Sequence, residues 1–312
     1  TGKGARKFLD YILAGRIPKE GRIILTPMLT PKGKLYGDLT VACLNEEKFM
    51  IFGSGAAQEM HRRWFEKFLP EEGEVKYKNR SDDFHGIAIS GPNSRKLLSK
   101  ICREDISAEK LKFRDTKETF VAGVPAILNR LSFSGELGYE IYVAPQFQLK
   151  LFEEIEKNGK DLGLKLYGSR ALMSLRLEKN WGAWFLDFRP DFTPAESGLD
   201  AFINWDKDFV GKKAAIKEKK QGPTKKLVTM IVDTEDIDVT NDEAILKANK
   251  CVGYVTSGGY AHHVKKSMAL GYVPIELSKH ETTLEVEING KLYLSHVTDR
   301  PLYDANGGKM KS

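Results

Sequence analysis

An α+β core followed by a small all-β domain is the architecture this sequence predicts. Three observations carry it. Up to about residue 221, short strand-like runs are repeatedly followed by amphipathic helical runs, as in α+β units with antiparallel sheets. Beyond Gln221-Gly222-Pro223 the helical runs stop, and short alternating stretches separated by Gly-bearing turns take over, as in a β barrel or sandwich. No stretch approaches the ~18–20 uninterrupted apolar residues of a membrane span, and at 41% apolar and 29% charged residues the composition is that of a globular protein.

The elements follow in order. Residues 1–15 carry an amphipathic helical pattern ending at Gly15, a C-cap signal. The lack of a leading Met reads as a start inside a larger protein. Strands are expected over 23–28 and 35–44, around the turn Thr30-Pro31-Lys32-Gly33, and over 48–52. Gly53-Ser54-Gly55 opens a helix over 56–68. A strand over 84–89 leads through Ser90-Gly91-Pro92 into a helix over 93–102, with Pro near its first turn. Residues 126–133 and 139–143 read as a hairpin. Leu149, Phe152 and Ile155 give the run 146–158 an apolar helical stripe, and 169–178 is a further helix. The barrel strands are expected over 227–232, 250–256, 268–274, 283–288 and 291–297. Asn289-Gly290 marks a two-residue hairpin. The expected domains are therefore 1–221 and 222–308.

Charge and cysteine content exclude several classes. The net charge of +6, from 49 basic and 43 acidic residues, is mild and scattered. Its local clusters, Lys217-Glu218-Lys219-Lys220 and Lys225-Lys226, bracket Gly222-Pro223 and read as a solvated linker. A nucleic-acid site needs a basic stripe with interleaved aromatics, and none is present. Cys43, Cys102 and Cys251 form no CxxC pair, so neither a disulfide framework nor a zinc site is indicated. His262 and His263 are adjacent and point apart, without further ligands at suitable spacing.

The segment LSFSGELGYEIYV, residues 131–143, holds the strongest chemical signal. Glu140 and Tyr142 are two apart on an alternating strand and share one face, with Ile141 and Val143 on the other. A carboxylate beside a phenol, with Phe133 a turn away, suits a flat, nitrogen-rich ring: the acid accepts paired N–H groups while aromatics cover the faces. A solvated strand face is the plainer alternative. Asp38 shares a strand face with Tyr36 and Thr40. A carboxylate in an otherwise apolar strand is at a rim, paired, or functional; beside a ligand amine it can hold a proton or stabilise a cation. Arg176 and Glu178 read as a helix-terminal ion pair positioning the next loop, or as a carboxylate-binding group. Trp184, Phe185 and Phe188 give that loop an aromatic density suited to stacking or to a core.

Taken in order, MLTPKGKLYGDLTV, GIAISGP, SFSGELGYEIYV, SLRLEKNWGAW, TPAESGLDAFI, VTSGGYAHHVKKSMALGYVP and Arg300-Pro301 resemble the folate-binding aminomethyltransferase family. That family includes the glycine cleavage T-protein and the C-terminal halves of dimethylglycine and sarcosine dehydrogenases. The pieces cover nearly the whole chain and look most like the dimethylglycine-dehydrogenase type. The resemblance implies two interleaved ferredoxin-like α+β units around a central tetrahydrofolate site, plus a C-terminal β barrel. It implies Asp38 as the catalytic acid, Glu140 as the acid at the pterin edge, and Phe133, Tyr142 and Trp184 as pocket residues.

Two positions depart from the T-protein pattern. Gly37 stands where a second acid precedes the catalytic one, and Leu172 stands where an Arg helps hold the folate. Leu at 172 is as in the dimethylglycine-dehydrogenase type. The implied reaction is one-carbon transfer from an aminomethyl or iminium donor to tetrahydrofolate, giving 5,10-methylenetetrahydrofolate. The implied partners are a small methylated amine or aminomethyl donor, with a flavin dehydrogenase domain or a lipoyl carrier protein, and no nucleic acid or membrane. The compartment is the cytoplasm or the mitochondrial matrix. A glycine-cleavage T-protein, a folate-dependent demethylase and a non-enzymatic folate-binding protein remain open alternatives.

Overall fold

The computed structural model describes residues 1–71 and 73–312. After helix α1 (Ala5–Ile12), strands β1 (Ile23–Leu29), β2 (Leu35–Asn45) and β3 (Lys48–Phe52) form an antiparallel sheet with β2 in the middle. Helix α2 (Gln58–Lys67) packs on it through Trp64 and Phe65. Strand β4 (His85–Ser90), helix α3 (Ser94–Ile101), strands β5 (Thr116–Val121), β6 (Val124–Asn129) and β7 (Gly138–Val143) and helix α4 (Gln148–Gly159) build a second unit. Its antiparallel sheet has the order β4-β7-β6-β5, and Leu97, Leu98, Leu151 and Ile155 of the helices share one core with Ile89, Leu128, Ile141 and Val143.

Helix α5 (Ser169–Leu177) and a long turn-rich segment then lead back to the first unit. Trp184, Phe188, Leu199, Ile203 and Phe209 join Ala14, Leu29 and Leu35 in one apolar cluster. The chain is thus interleaved: its first and last core segments fill the same interior. Helix α6 (Lys212–Gln221) leads to the barrel strands β8 (Lys225–Val232), β9 (Ala244–Lys247), β10 (Lys250–Ala261), β11 (Lys266–Pro274), β12 (Thr283–Ile288) and β13 (Lys291–Thr298). These close in the order β10-β11-β8-β13-β12-β9 around Met230, Ile245, Val255, Ala269, Val286 and Val297. The α+β class and the C-terminal barrel are as the sequence predicts. No helix among the described residues is long and apolar enough to cross a membrane.

Four elements differ from expectation, each for a physical reason. The first helix stops at Ile12 because Leu13 turns extended and two of the next residues form isolated bridges, Leu13 to Met28 of β1 and Gly15 to the extended Ile203. Gly15 has no room for a side chain: a Cβ there would meet Thr26 Oγ1 at 2.2 Å. Strand β5 is an edge strand whose Lys117, Glu118 and Phe120 face water, so it lacks an apolar signature. Strand β9 is only 4 residues long. The expected solvated linker over Lys217–Lys220 is instead part of α6, a strongly polar helix docked through Ala215. Lys219 lies over the Trp205 ring, 4.2 Å from its centroid.

Core and barrel are joined by a buried polar network. Arg176, at the end of α5, pairs with Asp187 at 2.6 Å, and both side chains are almost fully buried. Arg176 also donates to the Trp181 carbonyl at 2.8 Å and to Ser257 Oγ of β10 at 2.6 Å. Asp187 accepts from Ser257 Oγ at 3.0 Å, from Thr256 Oγ1, and from the Ala183 amide at 2.9 Å. The expected pair between Arg176 and Glu178 is not formed: the loop folds back over the helix end and Asp187 takes the place of Glu178 as the partner of Arg176. Glu178 is spent elsewhere: it accepts from the His263 amide at 2.6 Å and meets His263 Nδ1 at 2.6 Å.

Removing one member of such a pair strands the other charge in low dielectric. Arg176→Met is expected to cost about 3–5 kcal/mol in urea unfolding. Pairing it with Asp187→Leu should recover part of that loss, because no lone charge then remains buried. Additive losses in the double variant would contradict the pairing.

Candidate functional site

Strand β2 alternates strictly along the stretch that carries Asp38. Leu35, Leu39 and Val41 point into the core, while Tyr36, Asp38 and Thr40 occupy the opposite, part-buried face. Asp38 lies opposite Pro27 of β1, and Thr40 lies opposite Phe52 of β3. No other side chain among the described residues hydrogen-bonds the Asp38 carboxylate. Burial pushes the Asp38 carboxyl up to about 7, against a smaller opposing pull from its own backbone amide. Near neutral pH the group is therefore poised between proton holder and anion.

Strand β7 supplies the second acid. Tyr139, Ile141 and Val143 are buried in the core of the four-stranded sheet, so Glu140 and Tyr142 emerge together on the other face. The Tyr142 hydroxyl donates to Glu140 Oε2 at 3.0 Å. Burial raises the Glu140 carboxyl above the usual range, and this phenol donation partly offsets it. Burial, and then the neighbouring carboxylate, hold the Tyr142 phenol firmly protonated. Gly86 lies directly across from Tyr142 on β4, and a Cβ at Gly86 would meet the ring at 2.8 Å. The glycine makes room for the ring.

The strand faces that carry the two acids come together at one aromatic contact. The Phe52 ring lies 4.5 Å from the Tyr142 ring, tilted by 36°. Cross-strand partners share a face, so Phe52 sits beside Thr40, two residues along from Asp38. The face bearing Asp38 and the face bearing Glu140 thus meet at Phe52 and Tyr142. A cavity of about 960 Å³ adjoins this contact, with Phe52, Tyr142, Gly53, Leu39 and His61 in its wall. Asp38 and Glu140 do not line it; strand register puts Asp38 on the face of Phe52, and Glu140 holds the Tyr142 hydroxyl.

The other expected ring-binding residues sit further out. Phe133 stacks on Trp181 at 6.4 Å and 18°, and Lys179 Nζ lies 5.7 Å from the Trp181 ring centroid. Trp184 is largely buried among Leu29, Leu35 and Phe188, with its ring 5.8 Å from His61. No ring pairing among the described residues joins Phe133 or Trp184 to Tyr142. The Trp184 indole N–H is buried without a partner among those residues.

Both departures from the T-protein pattern have structural counterparts. A Cβ at Gly37 would meet His61 Nε2 at 3.1 Å and Met28 Cε at 3.3 Å, so this backbone leaves little space for an acid there. Leu172 lines a second cavity of about 550 Å³, bounded by β4, α3 and α4. Sequence reading missed Phe52, Gly86, Asp187 and His263, because their roles arise from cross-strand and interdomain neighbours. The turn SFSGELG, by contrast, was readable. Gly135 has φ +84°, and a Cβ there would strike the Lys179 stem at 2.6 Å.

Comparison with known proteins agrees with this architecture. Residues 1–207 match the family described as the GCVT N-terminal domain, and residues 225–304 match the glycine cleavage T-protein C-terminal barrel domain. The mitochondrial dimethylglycine dehydrogenase of Homo sapiens is 36% identical over 305 residues, covering 96% of this chain and 35% of that protein. This chain thus spans about a third of the dehydrogenase it matches. The aminomethyltransferase of Desulfitobacterium hafniense (strain Y51) is 30% identical over 309 residues, covering 98% of this chain and 84% of that protein. In fold, the glycine cleavage system aminomethyltransferase T from Bartonella henselae superposes with a TM-score of 0.85 at 23% identity, covering 97% of this chain and 82% of that one. With both of its segments matched, the chain belongs to the glycine cleavage T-protein (GCVT) family.

Proposed function

We propose that this chain binds tetrahydrofolate between the faces bearing Asp38 and Glu140 and catalyses one-carbon transfer to it. The division into a folate-binding core over 1–221 and a barrel over 222–308 belongs to that reading. The observation that carries it is the pair of part-buried acids, each poor in protein partners, on faces that meet at an aromatic contact. The residues fit such a guest: Glu140 has acceptor capacity beyond its bond to Tyr142, and Phe52 and Tyr142 offer ring surface. When bound, the folate supplies the amine that takes up the one-carbon unit, giving 5,10-methylenetetrahydrofolate.

The chain's own groups divide the work. Glu140, as a carboxylate, accepts the N–H groups of an amino-pyrimidine edge by charge-assisted bonds. Tyr142 holds that carboxylate in place through its hydroxyl. Asp38 orients the reacting amine and, once ionised, stabilises positive charge and accepts a proton at its carboxyl oxygens. Phe133 and Trp184 complete the enclosure in this reading. The donor is a small methylated amine processed by a flavin dehydrogenase partner. The higher identity to the dimethylglycine dehydrogenase and the glycine at 37 favour this over an aminomethyl-lipoyl carrier. Stimulation of turnover by a lipoylated carrier, and not by a flavin partner, would reverse that order.

Two outcomes test the roles of the acids. Glu140→Ala should weaken tetrahydrofolate binding by ~1.5–3 kcal/mol, the usual range for a bond to a charged group, as read by calorimetry; unchanged affinity removes Glu140 from the site. Asp38→Asn should abolish turnover while sparing most of the binding.

The pH dependence follows from the raised Asp38 carboxyl. Turnover of the parent should rise with pH through about 7, and a rate flat across that range would contradict an ionising Asp38. Stability runs the other way. An acid whose folded value lies above its unfolded value loses its contribution as pH rises between the two. Asp38→Asn should therefore be increasingly more stable than the parent between pH 4 and pH 7. Equal melting temperatures at pH 8 would contradict a desolvated carboxylate at 38.

A further inference from the structure

Glu140 has a neighbour that the proposed reaction does not use. Asn129 lies directly opposite Glu140 in the β6–β7 pair, and Thr116 lies directly opposite Asn129 in the β5–β6 pair. Cross-strand partners point to the same face with side chains in reach. Ala88 of β4 is opposite Glu140 on its other side. Thr116, Asn129, Glu140 and Ala88 therefore form one row across the four-stranded sheet. Asn129 is fully buried. Its Oδ1 accepts from Thr116 Oγ1 at 2.7 Å, which fixes the amide's orientation. Its Nδ2 is buried with no partner among the described residues.

A stranded amide donor costs about 1–3 kcal/mol, so its persistence calls for a partner supplied in another state. Within the row, Thr116 is already engaged and Ala88 is apolar. Ile127, the next side chain on this face of β6, is apolar too. Thr116 is held at the amide's Oδ1, so Glu140, to which Tyr142 supplies one donor only, is the member of the row with acceptor oxygens free for Nδ2.

We infer that Asn129 is a positioning residue, whose amide N–H donates to the Glu140 carboxylate when a ligand seals the site and water is excluded. Thr116 is the latch that turns the amide toward the acid. The inference rests on the assignment of Glu140 to ligand binding and adds the group that keeps this carboxylate ionised and aimed. Tyr142 and Asn129 would then grip Glu140 from two sides, leaving its remaining lone pairs for the ligand edge.

Calorimetric titration of tetrahydrofolate into four proteins tests this: parent, Asn129→Leu, Glu140→Gln and the double variant. Asn129→Leu should weaken binding at least about tenfold, ~1.4 kcal/mol, but have little further effect in Glu140→Gln. A pH series in an Asp38→Asn background adds a readout that a packing defect alone would not move. Loss of affinity on acidification should begin at higher pH in the Asn129→Leu variant than with Asn129 intact, because the carboxylate has lost a donor. Should Asn129→Leu fail to fold, the isosteric Asn129→Asp serves. It lacks the donor and repels the acid, so it should bind more weakly with the same upward move in pH.

Parent-like affinity and pH profile in a folded Asn129 variant would overturn the inference while leaving Glu140 in place. An equal loss in the Glu140→Gln background would overturn it too. Parent-like binding by Glu140→Gln alone would instead remove the reading of Glu140 itself, and the Asn129 inference with it.

Discussion

Side-chain alternation along β7 is the constraint from which the site follows. Tyr139, Ile141 and Val143 must bury against α3 and α4 for the four-stranded sheet to have a core. Glu140 and Tyr142 are then forced onto the other face. A slip of one residue would put the acid into the apolar interior, so the register is strongly specified. The turn that feeds the strand is held equally firmly. Gly135 adopts a left-handed conformation against the Lys179 stem, and Lys179 Nζ donates to the carbonyls of Tyr303 and Asp304.

The barrel contributes rigidity at a distance. Arg176 and Asp187 fasten the loop over 181–188 to β10, and Glu178 caps the turn at His263. That loop carries Trp181, the stacking partner of Phe133, and Trp184, which fills the core behind β2. The polar groups at this junction are nearly all mutually satisfied, which is the condition under which buried polar networks rigidify rather than weaken a fold. The acids at 38 and 140 are treated differently. They are taken out of water with few protein partners, a local cost to stability carried where chemistry is expected.

Much of this was legible in the sequence because period-2 alternation and glycine turns act locally. The Glu140/Tyr142 face, the Asp38 face and the Asn289-Gly290 hairpin all follow from residues adjacent in the chain. Strand β5 and helix α6 were not legible, since an edge strand and a helix docked through Ala215 need few apolar residues and resemble solvated segments. Phe52, Gly86 and Asn129 were also out of reach. Nothing in a single sequence says that residue 52 will stack on 142, that 86 will lie beneath that ring, or that 129 will face 140. Asp187 took the place expected of Glu178 as the partner of Arg176, because the loop folds back over the helix end.

A crystal structure with tetrahydrofolate bound tests the central claim most directly. The account predicts the amino edge of the pterin against Glu140, its faces near Phe52 and Tyr142, and its reactive amine within reach of Asp38. A pterin lodged in the cavity beside Leu172, or the two acids opening onto separate spaces, would contradict it.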